Sequence, residues 1–104
     1  METSDPILAK FHAALVDIYG ERLDRVVLFG SRARGNEHED SDYDVAVFLK
    51  SLPDRWAELD RLARLRVSFI DDAGVFFDAK PYSATAYQES SPLMREIRQE
   101  GLDL

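Results

Sequence analysis

The chain has 104 residues, is 45% hydrophobic and 32% charged, contains no cysteine, and carries a formal net charge of −7. That is enough apolar material for one domain spanning residues 1–104 and too much for a disordered chain; the missing cysteines exclude disulfides and thiolate metal sites. No apolar run approaches the roughly 20 residues that span a bilayer and no signal-peptide pattern opens the sequence, so a cytoplasmic protein without membrane association is expected, and the acidic balance argues against direct nucleic-acid binding.

Asp5-Pro6 reads as a helix start, with Asp at the N-cap and Pro in the first turn. Leu8, Phe11, Leu15 and Ile18 follow at helical spacing, and Gly20 supplies the stop. Arg25 to Phe29 is a short apolar run suited to a strand buried on both faces. Gly30 to Gly35 (GSRARG) is a turn, and 36–41 a polar loop. Asp42 to Leu49 (DYDVAVFL) reads as a second strand. Pro53 to Ile70 reads as a helix whose apolar stripe is Trp56, Leu59, Ala63, Val67 and Ile70, followed by a turn at Asp71 to Gly74. Val75 to Ala79 is a third strand, and Ser91-Pro92 opens a last helix that stops at Gly101. The order predicts an α/β (α+β) domain with helices packed on a small mixed sheet.

Two places carry chemistry. Gly30-Ser31 directly follows a buried strand, where a glycine lets the backbone bend and approach a ligand, and where the next amides and the Ser31 hydroxyl can donate to phosphate oxygens. An ordinary strand-to-helix turn explains the same residues. Arg32 and Arg34 are available to phosphate charge or to surface pairing with Glu37, Glu39 or Asp40, Arg34 being the better placed beside Gly35. Asp42 and Asp44 lie two apart in a strand, so both carboxylates leave the same face. Two anions held together suit a divalent cation such as Mg²⁺, and also suit an exposed strand end. Asp78 follows Val75, Phe76 and Phe77, a setting in which an unpaired charge is costly, and reaches the same place if the third strand lies beside the second. Lys80 is either a phosphate ligand or solvated. Tyr43, Tyr82, Tyr87 and Trp56 can stack on a base, although core packing explains them as well.

Gly30-Ser31, ten residues, then Asp42-x-Asp44 inside a strand resembles the signature of the nucleotidyltransferase superfamily that includes DNA polymerase beta, and GSRARGNEHEDSDYDVAVF resembles its minimal nucleotidyltransferase (MNT) branch. FDAKPYSATAY and SSPLMREIRQEGLDL resemble that branch's third-strand segment and last helix, so the likeness runs from about Val26 onward, departing at Ala79-Lys80-Pro81 where members continue apolar. The resemblance implies a polymerase beta palm-like fold. It makes Gly30 and Ser31 the triphosphate cradle. It makes Asp42 and Asp44 ligands of two Mg²⁺ ions, and Asp78 the third carboxylate, at the catalytic metal and the acceptor hydroxyl.

Minimal members resembling this chain are often paired with a helical HEPN-type toxin, and some transfer AMP from ATP to a tyrosine of that partner. The resemblance therefore implies an adenylyltransferase antitoxin, with a homo-oligomer left open. Its rivals are an aminoglycoside-type nucleotidyltransferase that borrows a second subunit, and a non-catalytic antitoxin that acts by occlusion.

Overall fold

The computed structural model describes residues 5–30 and 43–104. Helix α1 (Pro6–Tyr19) starts where expected: the Asp5 carboxylate accepts from the amides of Ile7 (2.9 Å) and Leu8 (3.4 Å), and Gly20, at φ 55°, ends it. A 3-10 turn, Gly20–Arg22, leads into strand β1 (Leu23–Phe29). Strand β2 (Tyr43–Leu49) is followed by helix α2 (Arg55–Ala73), strand β3 (Phe77–Ser83), a 3-10 helix (Ala84–Gln88), helix α3 (Pro92–Glu100) and a two-residue strand β4 (Leu102–Asp103). The sheet order is β3-β2-β1-β4. β1 is antiparallel to both β2 and β4, and β2 is parallel to β3 through the α2 crossover. The mixed sheet with helices matches the fold class read from the sequence.

Both faces of the sheet are covered. Val26 and Leu28 of β1 and Val45, Val47 and Leu49 of β2 join Leu8, Phe11, Leu15 and Tyr19 of α1, Leu62 of α2, and Phe77 and Ala79 of β3. Val27, Ala46 and Phe48 point the other way, against Ala86 and against Met94 and Ile97 of α3. That two-sided burial is what the unbroken apolar runs required.

Two elements, α2 and β3, depart most from the sequence reading. α2 starts at Arg55, capped by Asp54, and runs through Asp71 and Asp72 to a left-handed cap at Gly74 (φ 65°), so the two acids are in its last turn. Its core face is Leu62, with Leu65 and Phe69 partly buried, and not the expected stripe: Trp56 is 81% exposed and Val67 54%. β3 lies two to four residues later than expected and passes through Lys80-Pro81. Phe76 O accepts from Tyr43 N (3.0 Å), and amides alternate along a parallel ladder. Pro81 therefore presents its missing N–H to the open edge, where a strand tolerates proline.

Candidate functional site

The site is assembled by an aromatic stack on the opposite face of the sheet. Tyr43 and Phe77 are partners across the parallel β2–β3 ladder, with ring centroids 4.8 Å apart, and Phe77 stacks in turn on Phe11 of α1 at 4.0 Å. The Tyr43 hydroxyl donates to Asp5 Oδ2 (2.6 Å), so the α1 cap also fixes the start of β2. Because side chains alternate, locking Tyr43 against Phe77 on this face places Asp44 against Asp78 on the other. Asp44 and Asp78 are direct register partners, and neighbouring strands lie about 4.8 Å apart. A slip of one residue would bury both acids and expose both rings.

Gly30 closes the third side. It follows Phe29, the register partner of Asp44 on β1, and holds φ at 80°. A Cβ built at Gly30 would collide with Asp44 Oδ2 and lie 3.3 Å from its Cγ. The glycine is required twice over: by a backbone conformation other residues avoid, and by the approach of a carboxylate. The bend at the end of β1 thus touches the first acid of the pair.

Asp44 and Asp78 are partly exposed, the Asp78 side chain at 43%. Asp78 therefore bears no full desolvation cost, contrary to what the apolar run before it suggested. Phe76, in that run, is 55% exposed. Lys80 Nζ stands 4.0 Å from Asp78 Oδ2, two residues along the same face. Two adjacent carboxylates with solvent access beside a glycine cradle form a donor set fit for a hard divalent cation and a phosphate chain.

The structure thus brings Gly30, Asp44 and Asp78 together. Ser31, Arg34 and Asp42 lie outside the described residues, as does Arg32. Among the described residues no group of three or more His, Cys, Asp or Glu is placed to hold a metal. Of the aromatic side chains read as base-stacking or core, Tyr43 is core, and Tyr82 and Tyr87 pack beside Phe48. Trp56 is neither buried nor near the acids: it opens α2, whose neighbour Arg55 lies over the Tyr82 ring near the far end of β3.

A buried polar cluster that the sequence did not announce lies at the opposite end of the sheet. Glu58 of α2, 4% exposed, accepts from Arg22 (3.0 Å) and lies 3.4 Å from Arg61. The Tyr19 hydroxyl is buried without a hydrogen bond of ordinary geometry. Burial first, and the Glu58 carboxylate beside it second, push its ionisation well above the usual tyrosine range.

Residues 8–101 match a family model described as a nucleotidyltransferase domain. Over 47 residues the chain is 45% identical to a Methanocaldococcus jannaschii protein named "Putative protein adenylyltransferase MJ0141". That match covers 45% of this chain and 48% of the relative, so the chain aligns with about half the length of the curated protein. Among solved structures, a toxin–antitoxin with AMP-PNP is similar with a TM-score of 0.64 at 21% identity, over 90% of this chain and 69% of that one. A variant of the toxin–antitoxin MntA-HpeT carrying two Asp-to-Glu substitutions gives 0.63 at 19%, over 90% and 69%. At these identities the likeness is one of fold. No helix among the described residues is long and apolar enough to cross a membrane.

Proposed function

From the premise that this chain belongs to the nucleotidyltransferase domain family, we propose that it transfers AMP from ATP to a tyrosine hydroxyl of a HEPN-type toxin and so acts as that toxin's antitoxin. The observation that carries the reaction is the convergence of Gly30, Asp44 and Asp78 at one end of the sheet. The acceptor is argued from the resemblance, from the adenylyltransferase name of the archaeal relative and from the toxin–antitoxin neighbours of the same fold. The acidic balance of the chain suits a basic, RNA-cleaving partner.

In this reading the bend at Gly30 and the Ser31 hydroxyl seat the triphosphate, with Arg34 taking up part of its charge. Asp44 and Asp78, with Asp42 supplied by the resemblance, would hold two Mg²⁺ ions. When bound, the ions lower the acceptor hydroxyl's pKa and neutralise charge on the departing pyrophosphate. The acceptor oxygen bonds to the α-phosphorus as the bond from that phosphorus to the bridging oxygen breaks, and the electron pair leaves with pyrophosphate. The hydroxyl proton passes to the Asp78 carboxylate, whose solvent exposure lets it be released again. Little covalent chemistry is asked of the protein, so the rigidity of the β2–β3 register is its main contribution.

The test is intact-mass spectrometry of a purified HEPN-type partner after incubation with this chain, ATP and Mg²⁺. The expected result is a gain of one or more adenylyl groups on a tyrosine, abolished by EDTA and by Asp44→Asn. Toxin neutralised without ATP and without a mass gain would favour occlusion. Transfer to an aminoglycoside but to no protein would favour the small-molecule reading.

A further inference from the structure

We infer that Phe76 selects the acceptor: its exposed ring is the platform on which an aromatic acceptor lies while the acceptor's hydroxyl meets Asp78. The inference rests on the transfer reaction proposed above and adds to it the residue that recognises the acceptor's ring. Val75 is partly buried against the core and Phe77 wholly buried, yet Phe76 between them is 55% exposed and belongs to neither apolar cluster. Its backbone is held all the same, because its carbonyl accepts from Tyr43 N at 3.0 Å and so extends the β2–β3 ladder by one residue. A single exposed phenylalanine is commonplace on a protein surface; what distinguishes this one is its place.

Side chains alternate along a strand, so Phe76 leaves the same face as Asp78 and Lys80. Asp78 thus has one neighbour on each side along β3. On the inward side Lys80 holds its ammonium 4.0 Å from Asp78 Oδ2. The face beside it on β2 is closed, with Ala46 and Phe48 buried beneath α3 and the 84–88 turn. On the outward side the first side chain of the strand is Phe76. An acceptor that reaches Asp78 from solvent therefore comes in beside that ring. The nucleotide is held elsewhere: its phosphates belong at the Gly30 bend on β1, two strands away across Asp44. In-line transfer sets the attacking oxygen opposite the departing pyrophosphate, which puts the acceptor on the β3 side.

The spacing suits a phenol. Side chains two apart on a strand stand roughly 6.4–6.8 Å apart, and aromatic pairs attract with ring centroids about 4.5–7 Å apart. A tyrosine with its hydroxyl on the Asp78 carboxylate has its ring alongside Phe76, whereas serine or threonine brings no ring to stack.

The test uses the full chain, ATP, Mg²⁺ and a purified HEPN-type partner whose acceptor tyrosine has been located by mass spectrometry. Phe76→Ala should keep the wild-type circular dichroism and Tm, lower kcat/KM for the partner about tenfold, and leave KM for ATP within about twofold. Phe76→Tyr, which keeps the ring, should retain about half or more of the wild-type kcat/KM. Calorimetry with α,β-methylene-ATP and Mg²⁺, which cannot transfer, reads affinity apart from turnover. There Phe76→Ala should bind the intact partner about tenfold more weakly. It should bind a partner carrying alanine in place of the acceptor tyrosine as well as the wild-type chain does. A rise in KM for ATP with the partner's unchanged would show that the ring holds the base. Equal loss of affinity for both partners would show that it docks another part of the partner. Either result, or transfer by Phe76→Ala at the wild-type rate, overturns this inference and leaves the reaction standing. No transfer by the wild-type chain removes the reaction and the inference with it.

Discussion

Gly30→Ala tests whether the bend and the acid are built against each other. At φ 80° the new side chain costs about 1–2 kcal/mol for its backbone conformation alone. Its Cβ then runs into Asp44 Oδ2 and must drive that carboxylate from its rotamer, for roughly another 0.5–1.5 kcal/mol. The total of about 1.5–3.5 kcal/mol corresponds to a fall in Tm of roughly 6–28 °C for a domain of this size. Gly20→Ala is the control: φ is 55° but nothing lies within 4 Å of the added carbon. Only the backbone cost then applies, about 1–2 kcal/mol.

Chemical denaturation of Gly30→Ala, Asp44→Ala and the double variant closes a thermodynamic cycle. Without the Asp44 carboxylate, the Gly30→Ala cost should shrink to that of Gly20→Ala, giving a coupling of about 0.5–1.5 kcal/mol. Other interactions of Asp44 cancel between the two arms. In the folded fraction, adenylyl transfer by Gly30→Ala should drop about 100-fold or more, since displacement of a reacting group by an ångström has that effect. Additive penalties, within about 0.3 kcal/mol, would show that the glycine and the carboxylate do not touch, and the cradle would have to be sought elsewhere.

Asp78→Asn should leave Tm within a few degrees of wild type, because the side chain is 43% exposed and its Lys80 neighbour is 4.0 Å away. Its transfer rate should nonetheless fall by roughly 100-fold or more, the scale of a lost metal ligand and proton acceptor; a rate within threefold of wild type would remove Asp78 from the site. For Tyr19, burial raises the folded-state pKa above the unfolded value, so its stabilising term is complete below about pH 10 and is lost as pH rises further. The loss should run at up to about 1.4 kcal/mol per pH unit, and Tyr19→Phe should flatten that alkaline limb in pH-jump denaturation while costing little at pH 7. Gly101→Ala keeps an ordinary φ of −73° but drives a methyl into the Ile97 carbonyl and Val27. Overpacking of this kind should lower stability by about 1–3 kcal/mol in urea titration, with the α3–β1 packing lost first in hydrogen exchange.

Much of this was readable from the residues, and the parts that were not share a physical cause. Asp5-Pro6 and Gly20 mark α1 because capping is local chemistry, settled within a few residues. The apolar run of β1 announced its two-sided burial for the same reason. By contrast, Lys80-Pro81 looks like the end of a strand in sequence, yet proline breaks a ladder only where its N–H would be needed. Which amides face a neighbour is decided by sheet order, and sequence does not state that β3 is an edge. The stripe from Trp56 to Ile70 has the period of a core face, but apolar periodicity marks a face suited to burial without saying what buries it. Leu62, Leu65 and Phe69 carry an equally good helical period interrupted by charge, and they are the ones on the sheet. β4 and the Glu58 cluster were invisible because both depend on contacts between residues far apart in the chain.

The position of the acids follows from where the cover on the sheet ends. Along one face of β2 the side chains run Phe48, Ala46, Asp44, and the first two are fully buried beneath α3 and the 84–88 turn. One pleat further, Asp44 is partly exposed. On this face the strand is thus clamped by a packed core up to Ala46, one pleat before Asp44. A carboxylate one step inward, at the Ala46 position, would be desolvated and would shed its charge. Asp78 occupies the equivalent place on β3, in register and likewise half-exposed. Two rigid anions at a solvent boundary repel each other unless a cation lies between them. In the proposed reading, two carboxylates held in register at this boundary are where a divalent cation and the triphosphate it carries would be bound.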